Sequence, residues 1–562
     1  MNDSSEDSKR NGASPPVFPP SWFDEEAYLL THEDVAAGVA CGAIHSGYEH
    51  YVTQGWLENR SVVFSRQAPH DQLYRWGVVE KDQPLPGAQG AKFRCNIELA
   101  VASGGGGLFV SGWIDDLESP LDTIRIVNSN WMFIFSVSDL VRVRRADVEK
   151  ELGASHQHSY GFFGFCNTGD PLVVESVGCS FNIQRQDGSA EQTNVNIGRI
   201  GDVELRDLVL NYFAQAGFYG NRQVEAIRAC GSGFGAQIAG FNRDVSRRLV
   251  RGAYTRNFGG TRPLRGSLMV CLYGKAEFVF LQNALFSGRP GFQDYEIIWV
   301  SNSPDLSERL LAEIEIAHSV YGVPQTAVLL PGNAGFGAAN NAAASFAHSD
   351  RVIAINPDVF PKDLAWARKH TDLVDGLPAE QTRLFGAPLY YDDGSLMHGG
   401  MYFEFDTGVS LKADSVEDCR LVRVEHYGKG APAASQRFTR PRPVPAVTGA
   451  FISCDRAWYE KLGGFSEDYI FGNYEDADLC LKSLQQGTPS WLHDLRLWHL
   501  EGKGSTRLPA HEGGWLVNRW LFADRWAKEI DHGLLGPNPT RLPGAGGEAV
   551  PSSSEDTAGT GN

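Results

Sequence analysis

Short apolar runs alternate with helical patterns through the second half of the chain. Four runs contain few charged residues and lie at 267–273, 295–301, 326–330 and 351–356. After the second run, Leu306, Leu310 and Ile314 recur every four residues, which is close to the spacing of one helix face. Strands that are apolar on both faces and alternate with helices predict a parallel sheet covered by helices on both sides. Residues 266–535 are therefore predicted to form an α/β domain.

A different pattern precedes this region. Residues 63–255 contain short alternating runs such as RCNIELAVA, WMFIFSV and PLVVESV, broken by Gly, Pro and Asp. Such runs predict strands spaced as in a β-sandwich, so we expect a β-rich accessory domain. A helical rhythm of leucines appears within 201–230. Residues 20–62 are predicted to form a small helical module, and the polar tails 1–19 and 537–562 are predicted to be disordered.

Net charge and cysteine content narrow the function classes. The 562 residues include 50 Lys and Arg and 68 Asp and Glu, which gives a net charge of −18. Nucleic-acid binding needs basic patches that neutralise phosphates, so no nucleic-acid partner is expected. The 9 cysteines include no CxxC pair, which argues against a zinc ribbon and agrees with a reducing compartment.

Targeting and membrane signals are mostly negative. The first seven residues are polar and acidic, unlike a signal peptide, and no apolar run approaches the ~20 residues of a membrane-spanning helix. We therefore expect a cytoplasmic protein. The amphipathic segment 518–526, NRWLFADRW, leaves peripheral association with the inner face of the cell membrane open.

Polar residues follow the predicted strands, where α/β sheets bind their ligands. The fourth run ends in Asn356-Pro357-Asp358, and a carboxylate there suits a Mg²⁺ or Mn²⁺ ligand, although Pro and Asp also form plain turns. The segment NAGFGAANN at 333–341 predicts a Gly-rich strand-to-helix loop. The backbone N–H groups of such a loop approach an anion at the helix N-terminus.

Two further elements lie near the end of the region. Glu475 and Asp476 open an apolar segment, where a carboxylate serves either as a general base or as a partner of the helix dipole. His499 follows an apolar, strand-like stretch and is either a metal or phosphate ligand or a structural histidine. Each residue alone leaves both interpretations open.

Together these elements resemble family 2 glycosyltransferases of the GT-A fold. The segments NAGFGAANN, AINPDVFP, VTGAF, LGGF, NYEDADLCLK and WHLEGKGS are similar to that family in order and spacing. YYDDGSLMHGGMYF and HYGKGAP are similar to its bacterial, rhamnosyltransferase-like branch. The resemblance covers residues 266–535 and implies a Rossmann-like, mostly parallel sheet. The N-terminal half carries no motif of comparable specificity.

The resemblance implies a role for each matching residue. Asp358 and His499 match the metal-binding positions, which implies Mg²⁺ or Mn²⁺ as cofactor, and Asp358 stands in Asn-Pro-Asp where the family has Asp-x-Asp. Asp476 matches the catalytic base, and Glu475 the residue that positions this base or the acceptor. The implied donor-binding residues are Ser301, Asn302, Asn333, Phe336, Asn341 and Asn356.

The implied activity is that of an inverting glycosyltransferase. It would move a sugar from a nucleotide-sugar donor to a glycan or lipid-linked acceptor, in the assembly of a bacterial surface polysaccharide. Two alternatives are a sugar nucleotidyltransferase and a non-catalytic carbohydrate-binding protein on a degenerate transferase scaffold. Glu475, Asp476 and His499 argue against a degenerate site. Asn356 and Ser301 depart from the family pattern and argue for one.

Overall fold

The computed structural model describes residues 25–44, 46–50, 93–127, 132–153, 158–169, 179–215, 226–227, 229–260, 264–410, 420–502 and 508–535. The predicted tails 1–19 and 537–562 lie outside these residues, as does the end of the predicted helical module 20–62. Within that module the described helices are Glu25–Thr31, Glu33–Ala40 and Gly47–His50. The buried hydroxyl of Tyr28 lies 3.1 Å from Nδ1 of His50 and joins the first helix to the third.

Two sheets pack together in the N-terminal part. The first contains, in spatial order, Leu140–Val143, Gly161–Asn167, Gly107–Ile114, Cys95–Ser103 and Gly198–Ile200. The second contains Met132–Ser136, Leu121–Val127, Cys179–Arg185 and Ala190–Val195. Neighbouring strands are antiparallel, except for the parallel pair at the end of the first sheet. Side chains of both sheets, among them Leu108, Ile124 and Phe181, form one buried apolar cluster, as in a β-sandwich.

Two long helices connect these sheets to the rest of the chain. They are Asp202–Gln215 and Gly235–Arg251, and a π-helical turn, Cys230–Phe234, leads into the second. Their apolar side chains belong to a cluster that also contains Ile298 and Val328 of the central sheet. The stretch predicted as β-rich therefore ends in helices, and their core is continuous with that of the following region.

A sheet of nine strands forms the centre of the second half. Its spatial order is Tyr254–Phe258, Gln325–Leu329, Tyr295–Ser301, Gly266–Leu272, Arg351–Ile355, Phe451–Asp455, Leu384–Gly386, Ser490–Leu492 and Arg442–Val444. The second to fifth strands in this order are mutually parallel and are the four apolar runs of the sequence. Every residue of Tyr295–Ser301 is buried, which explains why the run is apolar on both faces. The mixed α/β architecture predicted from the sequence is confirmed.

Helices cover both faces of the central sheet. Residues that alternate along its strands belong to two apolar clusters, one on each face. One face is packed by Asp202–Gln215, Gly235–Arg251, Gly335–Ser345, Glu475–Gln485 and Pro509–Asp531. The other is packed by Phe278–Ser287, Ser307–Tyr321 and Trp366–Gly376. Shorter helices are Ala146–Leu152, Ala379–Thr382, Gln436–Thr439 and Arg456–Lys461.

Two smaller sheets complete this region. One contains Val359–Pro361, Leu497–His499, Leu389–Tyr390 and Leu396–His398, in spatial order. The other is a hairpin of Met401–Ser410 with Arg420–His426. The first sheet pairs Val359 with His499, which places His499 beside the loop that follows Arg351–Ile355.

Two adjacent glycines allow the helix Pro509–Asp531 to pack closely on both sides. A Cβ at Gly513 would lie 2.2 Å from the carbonyl oxygen of Leu210, in the helix Asp202–Gln215. A Cβ at Gly514 would lie 3.2 Å from Cγ2 of Ile470. The helix therefore touches the N-terminal half on one side and the segment before Glu475 on the other.

Candidate active site

Loops at the carboxyl ends of the parallel strands line a cavity of about 990 Å³. Eight of the ten predicted site residues line it: Asn302, Asn333, Phe336, Asn356, Asp358, Glu475, Asp476 and His499. The carboxyl ends of parallel strands share one edge of the sheet, and this edge is where such folds bind ligands. The topology thus brings together residues that are far apart in the sequence.

Ser301 and Asn341 do not line the cavity. The hydroxyl of Ser301 is buried and donates to the carbonyl oxygen of Ser303 at 3.1 Å. The amide of Asn341 donates to the carbonyl of Phe465 at 2.9 Å and accepts from the hydroxyl of Tyr459 at 2.6 Å. These contacts hold both side chains inside the fold, away from the cavity.

Asp358 and His499 form a buried pair on one side of the cavity. Oδ1 of Asp358 lies 3.5 Å from Nε2 of His499, and the two side chains are 2% and 7% exposed. Among the described residues, Oδ1 of Asp358 and Nδ1 of His499 have no hydrogen-bond partner. Burying unpartnered polar atoms is unfavourable, so these two atoms are available to bind a ligand.

The pair fits part of a divalent-cation site whose other ligands come from outside the protein. In the described ranges, no group of three or more His, Cys, Asp or Glu side chains is arranged to hold a metal ion. Mg²⁺ sites often contain one or two carboxylates, with substrate phosphates and water as the other ligands. Asp358 and His499 would supply an oxygen and a nitrogen to such a site.

The carboxylate pair lies at the start of the helix Glu475–Gln485. Asp476 accepts hydrogen bonds from the backbone N–H groups of Gly449 and Ala477, each at 2.7 Å. Glu475 is 5% exposed, and its Oε2 has no hydrogen-bond partner among the described residues. Two backbone donors favour the ionised form of Asp476. Backbone N–H groups of Glu475 and Asn473 also favour the ionised form of Glu475, but burial outweighs them.

Burial changes the protonation of this pair. Burial, and after it the charge of Asp476, raises the pKa of Glu475 to about 8. Burial also raises the pKa of Asp476, while the hydrogen bonds from Gly449 and Ala477 oppose that shift. At neutral pH the pair therefore holds a proton mainly on Glu475, and Asp476 is the member able to accept another. A raised carboxyl pKa in a cavity is typical of a general base.

The Gly-rich loop is held by its own hydrogen bonds. The backbone N–H groups of residues 334–336 donate, in order, to Oδ1 of Asn302 at 3.1 Å, Oδ1 of Asn333 at 2.9 Å and the carbonyl of Phe471 at 2.7 Å. The sequence predicts that this loop offers N–H groups to an anion, but these three are already engaged. The loop therefore presents side chains, including the ring of Phe336, to the cavity.

Other parts of the cavity wall come from segments for which the sequence predicts no site residue. Met397, Met401, Val424 and His426 lie on one part of the wall, and Leu508, Pro509, His511, Glu512 and Trp515 lie on another. Nothing in their spacing places these segments at the cavity. The signals in the sequence are that Met397 and Met401 belong to the segment YYDDGSLMHGGMYF and that His426 belongs to HYGKGAP.

His426 has a defined hydrogen-bonding state. The N–H of Gly400 donates to Nε2 of His398 at 3.2 Å, and Nδ1 of His398 lies 3.1 Å from Nδ1 of His426. Burial lowers the pKa of His398 well below its usual value and lowers that of His426 to about 4, so both rings are neutral. Nε2 of His398 accepts the hydrogen bond from Gly400, so the proton of the neutral ring is on Nδ1. This N–H donates a hydrogen bond to Nδ1 of His426. His426 therefore has its proton on Nε2, as a donor.

Arg206 supports the cavity from the N-terminal half. Its side chain is fully buried, and Nη1 donates to the carbonyl of Asn333 at 2.7 Å. Its guanidinium lies 4.5 Å from the ring centroid of Phe471. Because Asn333 and Phe471 both line the cavity, Arg206 joins two of its loops. The sequence gives no signal for this role, since Arg206 lies in the half without motifs.

Comparison with known sequences gives one distant relative. No protein-family model matches the chain. The uncharacterised protein y4gI of Sinorhizobium fredii (strain NBRC 101917 / NGR234) is 26% identical over 215 residues. The match covers 38% of this chain and 22% of that protein, so the chain spans about a fifth of its relative's length.

Two solved structures resemble part of the chain. One is the crystal structure of GalNAc-T7 with UDP, GalNAc and Mn²⁺, whose sequence is 14% identical. The match covers 46% of this chain and 48% of that chain, with a TM-score of 0.33. The mannosyltransferase PcManGT from Pyrobaculum calidifontis, in complex with GDP-Man and Mn²⁺, is 14% identical. It covers 55% of this chain and 88% of that chain, with a TM-score of 0.29. Similarity at this level does not assign a chemistry, and membership of family 2 stays a prediction.

Proposed function

We propose that this protein is a glycosyltransferase that moves a sugar from a nucleotide-sugar donor to a hydroxyl group of an acceptor. One observation carries the proposal: a single cavity contains the buried Asp358–His499 pair and the Glu475–Asp476 pair. The first suits the diphosphate of a donor with its cation, and the second suits removal of a proton. Transfer from a sugar nucleotide needs both functions in one place.

The proposed reaction is a single displacement. Asp476 accepts the proton of the acceptor hydroxyl while that oxygen forms a bond to the anomeric carbon. The bond between this carbon and the β-phosphate oxygen breaks, and the nucleoside diphosphate leaves with the electron pair. Attack from the opposite face inverts the anomeric carbon. General-base assistance of this kind contributes about 10²–10⁴-fold to the rate.

The leaving group needs charge stabilisation. When bound, a divalent cation supplies Lewis-acid stabilisation of the developing diphosphate charge, and Asp358 and His499 are the residues that would hold it. His426 lines the same cavity and, with its proton on Nε2, offers a neutral donor to an oxygen of donor or acceptor. Asn356 precedes Asp358 by two residues and completes this side of the proposed donor site.

A panel of nucleotide sugars tests the proposal. The purified protein is incubated with each donor in Mg²⁺, Mn²⁺ or EDTA, and release of nucleoside diphosphate is measured. We expect slow hydrolysis of one donor, decreased about 100-fold or more in Asp476→Asn. The control is Asp372→Asn on the exposed face of the helix Trp366–Gly376, which should keep full activity. No turnover and no binding of any donor by calorimetry would contradict the proposal.

A second candidate function is carbohydrate binding without catalysis. It is favoured by the two-residue cation site, in which Asn356 stands where a second carboxylate is expected from the resemblance. Such a protein would bind glycans on an array and leave every nucleotide sugar intact. Loss of donor turnover in Asp476→Asn would exclude it.

The acceptor and the cellular site are also proposals. The resemblance favours a glycan or lipid-linked acceptor in bacterial surface polysaccharide assembly. Across the described ranges, no helix has the length and apolar character needed to span a membrane. Whether the protein associates with vesicles can be measured directly by co-sedimentation.

A further inference from the structure

The segment that precedes the carboxylate pair has an uncommon backbone. Phe471, Asn473 and Tyr474 have φ values of 60°, 87° and 76°, and among the described residues they are the only non-glycine residues with positive φ. Gly472, between them, has a φ of 159°. A residue with a Cβ is disfavoured in this conformation, so surrounding contacts must hold the segment. Since Glu475 follows directly, this backbone determines where the carboxylate pair lies.

One buried side chain binds this segment. Asn518, in the helix Pro509–Asp531, is 0% exposed. Its Oδ1 accepts from the N–H of Ile470 at 2.7 Å, and its Nδ2 donates to the carbonyl oxygens of Ile470 at 2.9 Å and Gly472 at 2.8 Å. The amide therefore uses its oxygen and both of its N–H groups on the residues that lead into the left-handed turn.

The opposite side of the segment is also fixed. The N–H of Phe336 donates to the carbonyl of Phe471 at 2.7 Å, and the guanidinium of Arg206 covers the ring of Phe471. Phe336 lines the cavity, whereas Arg206 and Asn518 do not. Any effect of Asn518 on chemistry must therefore act through the segment that it holds.

We infer that Asn518 is a positioning residue for catalysis: it holds segment 471–474 in its left-handed conformation and thereby sets the position of Glu475 and Asp476. This inference rests on the proposed function, in which Asp476 is the base. An asparagine is specifically suited to the position, because it combines one acceptor with two donors. Aspartate has the same size but would place a second oxygen against the two carbonyl oxygens.

The test compares four variants. Asn518→Asp and Asn518→Ser remove donors from the segment. Asn283→Asp and Asn283→Ser are matched controls, because Asn283 is also 0% exposed and donates to the carbonyl of Val279 and to Gln325, outside the cavity lining. We expect kcat to fall about 10-fold or more in both Asn518 variants, with the donor KM within about threefold, because small displacements of a base have large effects on rate. The Asn283 variants should keep the wild-type kcat at temperatures where they are folded.

Hydrogen exchange gives a second readout. It is measured on the wild-type protein and so does not depend on whether the variants fold. The amide of Ile470 should exchange as slowly as the amides in the middle of the helix Pro509–Asp531. Exchange at the rate of an exposed loop would overturn the inference, as would an active wild type whose folded Asn518 variants keep full kcat. A wild type with slow Ile470 exchange and no turnover of any donor would instead overturn the proposed function, and with it the catalytic role of Asn518.

Discussion

The backbone N–H of Gly449 donates to Oδ2 of Asp476 at 2.7 Å, although the two residues lie 27 positions apart. Gly449 belongs to the loop before the strand Phe451–Asp455, and both residues line the cavity. A Cβ at Gly449 would lie 3.2 Å from Cε1 of Phe336 and 3.3 Å from Cβ of Asp476. The close approach of the loop to the proposed base therefore depends on a residue without a side chain.

Gly449→Ala is expected to decrease activity more than stability. The added methyl group pushes against Asp476 and Phe336 and so shifts the base from its position. A displacement of this kind should decrease kcat about 10–100-fold, while donor binding is retained. Steady-state kinetics measure both. Gly376→Ala is the control, since a Cβ at Gly376 meets nothing within 4 Å. Equal kcat values for the two variants would contradict this account.

The raised pKa of Glu475 makes stability depend on pH. Folded Glu475 keeps its proton up to about pH 8, whereas the ordinary value of 4.5 applies in the unfolded chain. The folded state therefore binds more protons between these pH values, and this group lowers stability as pH rises through the window. Glu475→Gln removes this titrating group. Between pH 5 and pH 8.5 the Tm of the variant should therefore fall a few degrees less than the Tm of the wild type. Parallel Tm curves for the two proteins would contradict the buried, protonated state.

Asp358 and His499 should be needed for cation-dependent stabilisation. With a nucleoside diphosphate present, Mn²⁺ should raise Tm, since a ligand at 100 times its Kd stabilises by about 2.7 kcal/mol. The shift should vanish in Asp358→Asn and in His499→Ala. Glu296→Gln is the matched control: Glu296 is also buried and pairs with His348 at 2.8 Å, outside the cavity lining. An undiminished shift in Asp358→Asn would rule out this pair as the cation site.

Arg206 should affect the donor site although it lies in the N-terminal half. Replacement by Met removes its bond to the carbonyl of Asn333 and its contact with Phe471, so the donor KM should rise about 10-fold. Lysine should not restore the KM, because a single ammonium cannot replace the planar guanidinium in both contacts. Arg247→Met, which breaks an exposed ion pair with Glu467, is expected to leave KM unchanged. A wild-type KM in Arg206→Met would show that the two loops hold their positions without it.

Gly513→Ala should destabilise the whole protein. Its Cβ would lie 2.2 Å from the carbonyl oxygen of Leu210, so one helix must move away from the other. Overpacking of this kind destabilises by about 1–3 kcal/mol. Thermal or urea unfolding of Gly513→Ala, with Gly376→Ala as the control, measures the difference. A Tm equal to that of the control would mean that the two helices can move apart without a decrease in the stability of the protein.

The sequence predicted those parts of the site that follow from strand order. Asp358 and Asn302 come directly after apolar runs, and parallel strands bring their carboxyl ends to one edge. Asn341 is implied by the resemblance, but it lies beyond the first turn of the helix Gly335–Ser345, is not part of the cavity lining and donates to the carbonyl of Phe465. A motif gives the residue types near a site, and the rotation of the helix decides which of them face it.

Other features had no local signal. His511 and Glu512 reach the cavity only through tertiary packing, from a late helix. The left-handed conformation of Phe471 and Tyr474 is imposed by contacts such as that of Asn518, because neither residue favours it by itself. The helix Asp202–Gln215 lies where the leucine spacing predicts a helix, whereas Gly235–Arg251 lies in a stretch expected to be β-rich. Both helices join the core of that stretch to the central sheet.

The position of the helix Pro509–Asp531 has a consequence for synthesis of the chain. The ribosome completes this helix after all strands of the central sheet, yet the helix covers Asp202–Gln215 and fixes the turn before Glu475. Until residue 531 has emerged, the nascent polypeptide keeps an apolar surface uncovered and its carboxylates unaligned. A growing chain is therefore expected to bind chaperones and to be inert toward donors.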